Sequence, residues 1–109
     1  MTNTIGCIEK ADVILVTGSN TTENHPVLSS FVKRAVKSRG AKLIVVDPRR
    51  VKIARHAHMH LRQNLGTDVA WINGMMNVII AEDLYDRVFV ESRTEKFEEL
   101  KKLVTKYTP

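Results

Sequence analysis

Apolar positions run without interruption through the centre of "DVILVT", residues 12 to 17, and again through the centre of "KLIVVD", residues 42 to 47. Both stretches predict strands, and the continuous apolar centre of the first suggests burial on both faces, as in parallel sheets. Between them the period changes. Val27 or Leu28, Phe31, Val32, Ala35 and Val36 recur at spacings of three and four, with Lys33, Arg34 and Lys37 off the stripe, which predicts an amphipathic helix. Pro26 suits its first turn, and Gly40 in "SRGAK" suits a left-handed cap at its end. The order strand, helix, strand is the grammar of a βαβ unit, whose crossover is almost always right-handed. It brings the residues after Val16 and those after Val46 to one edge of a parallel sheet, where open α/β sheets usually bind ligands.

Later periodicities are shorter. "HMHLRQ" alternates and predicts a third strand around Met59 and Leu61 that returns toward Asn64 to Thr67. A helix over residues 68 to 81 follows from Val69, Ile72, Met75 or Met76, Ile79 and Ile80 on one wide apolar face, with Thr67 or Asp68 as its cap. "AEDLYDRVFVESR" predicts a short helix, and "TEKFEELKKLVTKY" a clearer one capped by Thr94, with Phe97, Leu100, Leu103 or Val104, and Tyr107 on its apolar face. The expected class is α/β, a Rossmann-like three-layer arrangement with a short, mostly parallel sheet in one domain over residues 1 to 109, its portion from about 83 onward helical.

Composition narrows the function. The chain has 109 residues, 43% hydrophobic and 27% charged, and no run approaches the roughly 18 apolar residues of a membrane span. A net charge of +5 suits phosphate-bearing ligands. The basic residues are nevertheless spread over several elements and aromatics are only 6%, which argues against specific nucleic-acid binding. The cluster Arg49, Arg50, Lys52 and Arg55 is the exception, because it follows a strand end directly. One cysteine, Cys7, excludes an internal disulfide, fits a reducing cytoplasmic setting, and has no defined base to make it a nucleophile. His56, His58 and His60 alternate without a convergent carboxylate or cysteine, so a metal site is not expected.

Three loops carry the candidate chemistry. "GSNTTENHP" contains only one glycine, so it matches neither the dinucleotide fingerprint nor a Walker loop. Gly18 still permits close backbone approach, Asn20 can donate and accept, and N-H groups near Pro26 can face a phosphate; a structural turn capped by its own Asn and Thr side chains is the competing reading. Asp47, at the second strand end, can accept from both hydroxyls of a ribose, or it can pair with Arg49 or Arg50. Pro48 stiffens the exit, and Arg49 offers a planar fork for phosphate or a stacked base. In "NLGTD", Gly66 can turn tightly, while Asp68 can receive the N1-H and N2 donors of guanine or cap the next helix.

Taken in order, "GSNTTENHP", "AKLIVVDPRR" and "NLGTDVAWINGMMNVII" resemble the large catalytic subunit of molybdenum- or tungsten-dependent formate dehydrogenases, in the molybdopterin oxidoreductase family. The tail "EDLYDRVFVESRTEKFEELKKLVTKYTP" resembles the formate dehydrogenase branch, so the likeness spans essentially the whole chain. It implies a region that binds one guanosine diphosphate portion of bis(molybdopterin guanine dinucleotide). By that resemblance Gly18, Ser19, Asn20, Glu23 and Asn24 form the first binding loop, Val46, Asp47, Pro48 and Arg49 the second, and Gly66, Thr67 and Asp68 the third. Relatives often carry Cys or Asn where Val46 stands, which leaves only a backbone contact there. The implied reaction is reversible two-electron oxidation of formate to carbon dioxide, passed to iron-sulfur centres. The catalytic selenocysteine or cysteine, its histidine and the cluster-binding cysteines have no matching positions, so this chain is expected to be an internal cofactor-binding part, inactive alone and ligating no cluster. Its partners would be the remaining domains of the subunit and electron-transfer subunits. The alternatives are a noncatalytic structural or protein-interaction α/β domain, or a related molybdopterin enzyme acting on another substrate.

Overall fold

A computed structural model describes residues 3 to 108. Three parallel strands, β1 (Val13–Thr17), β2 (Lys42–Val46) and β3 (Met59–Leu61), lie in the order β1-β2-β3. Their register pairs Val13 with Lys42 and Thr17 with Val46, then Ile44 with Met59 and Val46 with Leu61. Both expected parallel pairings are present, and the α/β class is as the periodicity predicts. Between β1 and β2 stand a one-turn helix, α1 (Thr21–Asn24), and the long helix α2 (Pro26–Arg39).

Helix α2 starts with Pro26, whose missing N-H costs nothing in the first turn. It ends at Gly40 in the left-handed conformation, φ 71, with Lys37 and Arg39 in the last turn where the helix dipole favours them. Its stripe is narrower than the sequence spacing suggests: Val32 and Ala35 are buried, Leu28 and Val36 half-buried, and Val27 is exposed.

The core lies on one face of the sheet. Leu43 and Val45 of β2 share parity and register with Ile14 and Val16 of β1, and pack with Val32 of α2 and with Val51 and Ile53 at the 3-10 turn Lys52–His56. Ile8, from the 3-10 turn Ile5–Lys10, joins them, and Arg39 ties that turn to α2 by donating to the Glu9 carbonyl at 2.7 Å. The opposite face carries Val13 at 60% exposure, Leu15 at 43%, Met59 at 51% and Leu61 at 46%. The expectation that "DVILVT" is buried on both faces is therefore corrected. A continuous apolar run identifies a strand but not its place in the sheet. Burial on both faces is found instead in the central strand β2, where Leu43, Val45 and Val46 are buried.

The chain divides into two compact units at Asn64 and Leu65. In the second, α3 (Asp68–Ala81), α4 (Arg87–Arg93) and α5 (Phe97–Val104) are all helical as predicted. Thr67 occupies the N-cap position of α3 without a side-chain cap bond, and Asp68 is the first residue inside the helix. The α4 cap is Asp86, whose carboxylate accepts the Phe89 N-H at 3.0 Å. Thr94 does not cap α5. It closes α4 instead, its hydroxyl donating to the Val90 carbonyl at 2.5 Å, while Lys96 in the left-handed conformation precedes α5. Asn77 of α3 donates to the Val104 carbonyl at the end of α5 at 2.7 Å, and Tyr85 meets Phe97 ring to ring at 5.2 Å.

Candidate functional site

Parallel pairing puts the residues that follow β1, β2 and β3 at one carboxyl edge of the sheet. The ladder continues one residue past the strands on both sides of β2. Gly18 N-H donates to the Val46 carbonyl at 3.4 Å, and Asp47 N-H donates to the Leu61 carbonyl at 3.0 Å. The first and second candidate loops are thereby neighbours. Val46, expected to offer a backbone contact, has its carbonyl in this ladder and its side chain buried.

In the first loop Gly18 has φ 62, which only glycine adopts at little cost, and open space where a Cβ would stand. The left-handed backbone turns the chain from β1 into α1. Polar side chains then close the loop on itself: Ser19 and Thr21 hydroxyls lie 3.1 Å apart, and Asn20 Nδ2 donates to Glu23 Oε2 at 2.8 Å. Lys52, from the turn after the second loop, pairs with Glu23 Oε1 at 3.1 Å. Asn24 ends α1, and its N-H bonds the Asn20 carbonyl at 3.0 Å. The competing reading of a self-capped turn is therefore partly realised. Asn20 Oδ1 departs from it, being buried with no hydrogen-bond partner among the described residues. An amide oxygen in that state keeps its acceptor capacity for an incoming N-H or O-H.

The second loop is a tight polar unit. Asp47 is 1% exposed. Arg49 supplies three donors to it: the backbone N-H to Oδ1 at 2.8 Å, Nε to Oδ1 at 3.0 Å and Nη2 to Oδ2 at 2.9 Å. Of the two ion pairs considered from sequence, the one with Arg49 is the one formed. The Arg49 side-chain bonds, ahead of the cost of burial, hold the Asp47 carboxyl below the ordinary carboxylate range, and the same pairing raises the Arg49 guanidinium. His60 Nε2 lies 2.9 Å from the Asp47 carbonyl, and Arg62 Nε donates to the Pro48 carbonyl at 2.9 Å. His60 and Arg62 were not singled out for this role. Their signal was present in the alternation of "HMHLRQ", which puts both on one side of β3 and, given parallel pairing, level with the end of β2.

Because the folded-state pKa of Asp47 is depressed, its stabilising contribution is complete above the unfolded value of about 3.9 and is lost as pH falls through the lower folded value. Asp47→Asn is accordingly expected to be less stable than the wild type at pH 7, with the difference shrinking below about pH 4. Thermal melts of both proteins from pH 7 to pH 2 check it; a constant difference would show that the carboxylate charge is not what stabilises the loop.

The third loop belongs to the second unit. Gly66 has φ 76, and Asp68 Oδ1 accepts the Trp71 indole N-H at 3.1 Å. Beside Trp71, the surface of α3 forms an apolar groove with Ala70, Gly74, Met75 and Val78. Of the histidines, His56 closes the 3-10 turn Lys52–His56, where burial first and then Lys33, Lys37 and Arg55 lower its pKa, and His60 serves the second loop. No group of three or more metal-ligating side chains occurs among the described residues. Cys7 is exposed, and the Thr4 hydroxyl 3.2 Å away lowers its thiol pKa. Among the described residues no helix is long and apolar enough to cross a membrane.

A parallel α/β sheet with a glycine turn after its first strand and an Asp-Pro-Arg turn after its second belongs to the open-sheet class, in which ligands are usually held at the carboxyl edge. Residues 1 to 105 match the family described as molybdopterin oxidoreductase, and the chain belongs to it. It is 52% identical over 109 residues to the F420-dependent formate dehydrogenase subunit alpha of Methanocaldococcus jannaschii, all of this chain and 16% of that protein. Formate dehydrogenase H of Escherichia coli is 47% identical over 109 residues, all of this chain and 15% of that protein. Among solved structures, acetylene hydratase from Pelobacter acetylenicus superposes with a TM-score of 0.81 at 38% identity, covering 95% of this chain and 16% of that one. The chain thus spans about one sixth of the length of the relatives it matches.

Proposed function

We propose that this chain is the part of a formate dehydrogenase catalytic subunit that holds one guanosine diphosphate portion of bis(molybdopterin guanine dinucleotide). The observation that carries the reading is the shared carboxyl edge at which Gly18 to Asn24 and Asp47 to Arg49 meet, joined through Gly18 N-H and the Val46 carbonyl. Supporting it are the buried, unpartnered Asn20 Oδ1 and the exposed Arg49 guanidinium, an acceptor and a cation of the kind a nucleotide diphosphate needs. These residues fit the group. Gly18, Ser19, Asn20, Glu23 and Asn24 of the first loop and Arg49 of the second would hold it, with the buried Val46 and Asp47 and the stiff Pro48 shaping that second loop. In the other unit, Gly66, Thr67 and Asp68 carry the guanine role that the resemblance implies.

When bound, the cofactor supplies a molybdenum or tungsten centre that exchanges two electrons with the substrate. This chain's own residues bind and orient the nucleotide end and contribute no group to that exchange. Formate is favoured as the substrate by the formate dehydrogenases among the relatives. Acetylene hydratase of Syntrophotalea acetylenica, 48% identical over 99 residues, supports the alternative of a family member acting on another substrate, because the nucleotide-holding edge can be kept while the chemistry changes. The test is a titration of the 15N-labelled chain with GDP followed by backbone NMR. Shifts at Gly18, Ser19, Asn20 and Arg49 are expected, and spectra unchanged at millimolar GDP would favour a structural or protein-interaction domain.

A further inference from the structure

We infer that Asp47 is a positioning residue which aims the Arg49 guanidinium at the diphosphate, and that it is not itself the acceptor for the ribose hydroxyls. The inference rests on the nucleotide reading above and specifies the work of its second loop.

Both Asp47 carboxylate oxygens are already committed to Arg49, in the two-toothed geometry that matches a guanidinium to a carboxylate. The Arg49 backbone N-H adds a third bond on Oδ1. At 1% exposure the carboxylate is out of reach of a ribose diol unless this pair opens. Opening it would leave a buried charge short of its donors, which is costly. The loop is also braced from β3, by His60 at the Asp47 carbonyl and Arg62 at the Pro48 carbonyl.

Arg49 is in the opposite position. Its side chain is 61% exposed. Of the five N-H donors of a guanidinium, Nε-H and one Nη2 hydrogen are spent on Asp47, which leaves three on the side away from that carboxylate. A planar group fixed along one edge presents the other in a set direction, with little rotamer freedom left to lose on binding. That edge suits the oxygens of a diphosphate.

The experiment uses the 109-residue chain, its Asp47→Asn, Arg49→Ala and Arg49→Lys variants and the Asp47→Asn/Arg49→Ala double variant, titrated with GDP, 2′-deoxy-GDP and guanosine. Two readouts are followed: dissociation constants, and the Arg49 Nε-H resonance without ligand. The expected result is a slowly exchanging Nε-H in the wild type that is lost in Asp47→Asn. GDP affinity is expected to fall about tenfold in Asp47→Asn and in Arg49→Ala, with the double variant no weaker than the worse single. Arg49→Lys, which keeps the charge and loses the fork, should weaken GDP as well, while guanosine affinity and the ratio of GDP to 2′-deoxy-GDP stay unchanged throughout. If Asp47→Asn weakens guanosine as much as GDP and abolishes the preference for ribose, Asp47 is the ribose acceptor and the inference fails while the nucleotide reading stands. An Nε-H that exchanges equally fast in wild type and Asp47→Asn overturns it too. No response of the wild type to GDP overturns the nucleotide reading and this assignment together.

Discussion

Leu43→Ala is expected to lower the unfolding free energy by about 2–5 kcal/mol, enough to unfold a marginal domain. Leu43 is fully buried as the second residue of the central strand and packs in the cluster of Val32, Val45, Val51 and Ile53. Truncation removes transfer free energy and leaves a cavity between sheet and helix. Collapse around it is limited, because β2 is hydrogen-bonded on both edges, to β1 and to β3. Leu15→Ala, in the neighbouring strand and 43% exposed, is expected to cost far less. Denaturant unfolding of the two variants checks the contrast, and equal losses would show that the core does not lie on the Leu43 face.

Asp68→Ala is expected to remove about 1–3 kcal/mol of the preference for guanine over adenine, the scale of one lost bidentate base-edge contact. The role assigned to Asp68 supplies two acceptors to the N1-H and N2 donors of guanine, which adenine lacks. In this structure one of its oxygens takes the Trp71 indole N-H, so the ring and the carboxylate are set together at the start of α3. Stability should change less. Asp68 is exposed, makes no cap bond, and contributes to α3 through its place in the first turn, worth about 0.3–1 kcal/mol. Competitive assembly of the complete subunit with guanine and adenine forms of the cofactor, alongside thermal unfolding, separates the two effects. An unchanged guanine preference in Asp68→Ala would remove the base-reading role.

Strands and helices were legible where a period is sustained over a whole element. Pro26 and Gly40 bracket α2 because each restricts or frees the backbone in a way no tertiary context is needed to read. Burial was legible less well. "VILVT" and "KLIVV" look alike as sequences, and only strand order distinguishes the central strand from its exposed neighbour. Thr94 shows the same limit at a helix end: a hydroxyl between two helices can serve either, and the geometry gives it to α4. For the site, Asp47 and Arg49 could be found, because charge immediately after an apolar strand is conspicuous. Which of ribose or arginine the carboxylate meets depends on a side-chain path that spacing does not encode. The bracing by His60 and Arg62 depends on register, and register is decided by packing.

The place of β1 at the end of the sheet has a cost in the life of the unassembled chain. Its outer edge has no strand beside it among the described residues, and its residues Val13 and Leu15 are exposed. An open apolar ladder of this kind recruits strands from other molecules and seeds aggregates. The segment is preceded by Lys10 and Asp12, and Asp12, 94% exposed, stands immediately ahead of the strand within 3.6 Å of Arg39. Charges in that position act as gatekeepers, since stacking a second copy in register would bring like charges together. Lys10 and Asp12, which lie outside the core cluster, are the charges that flank the entry to this open edge.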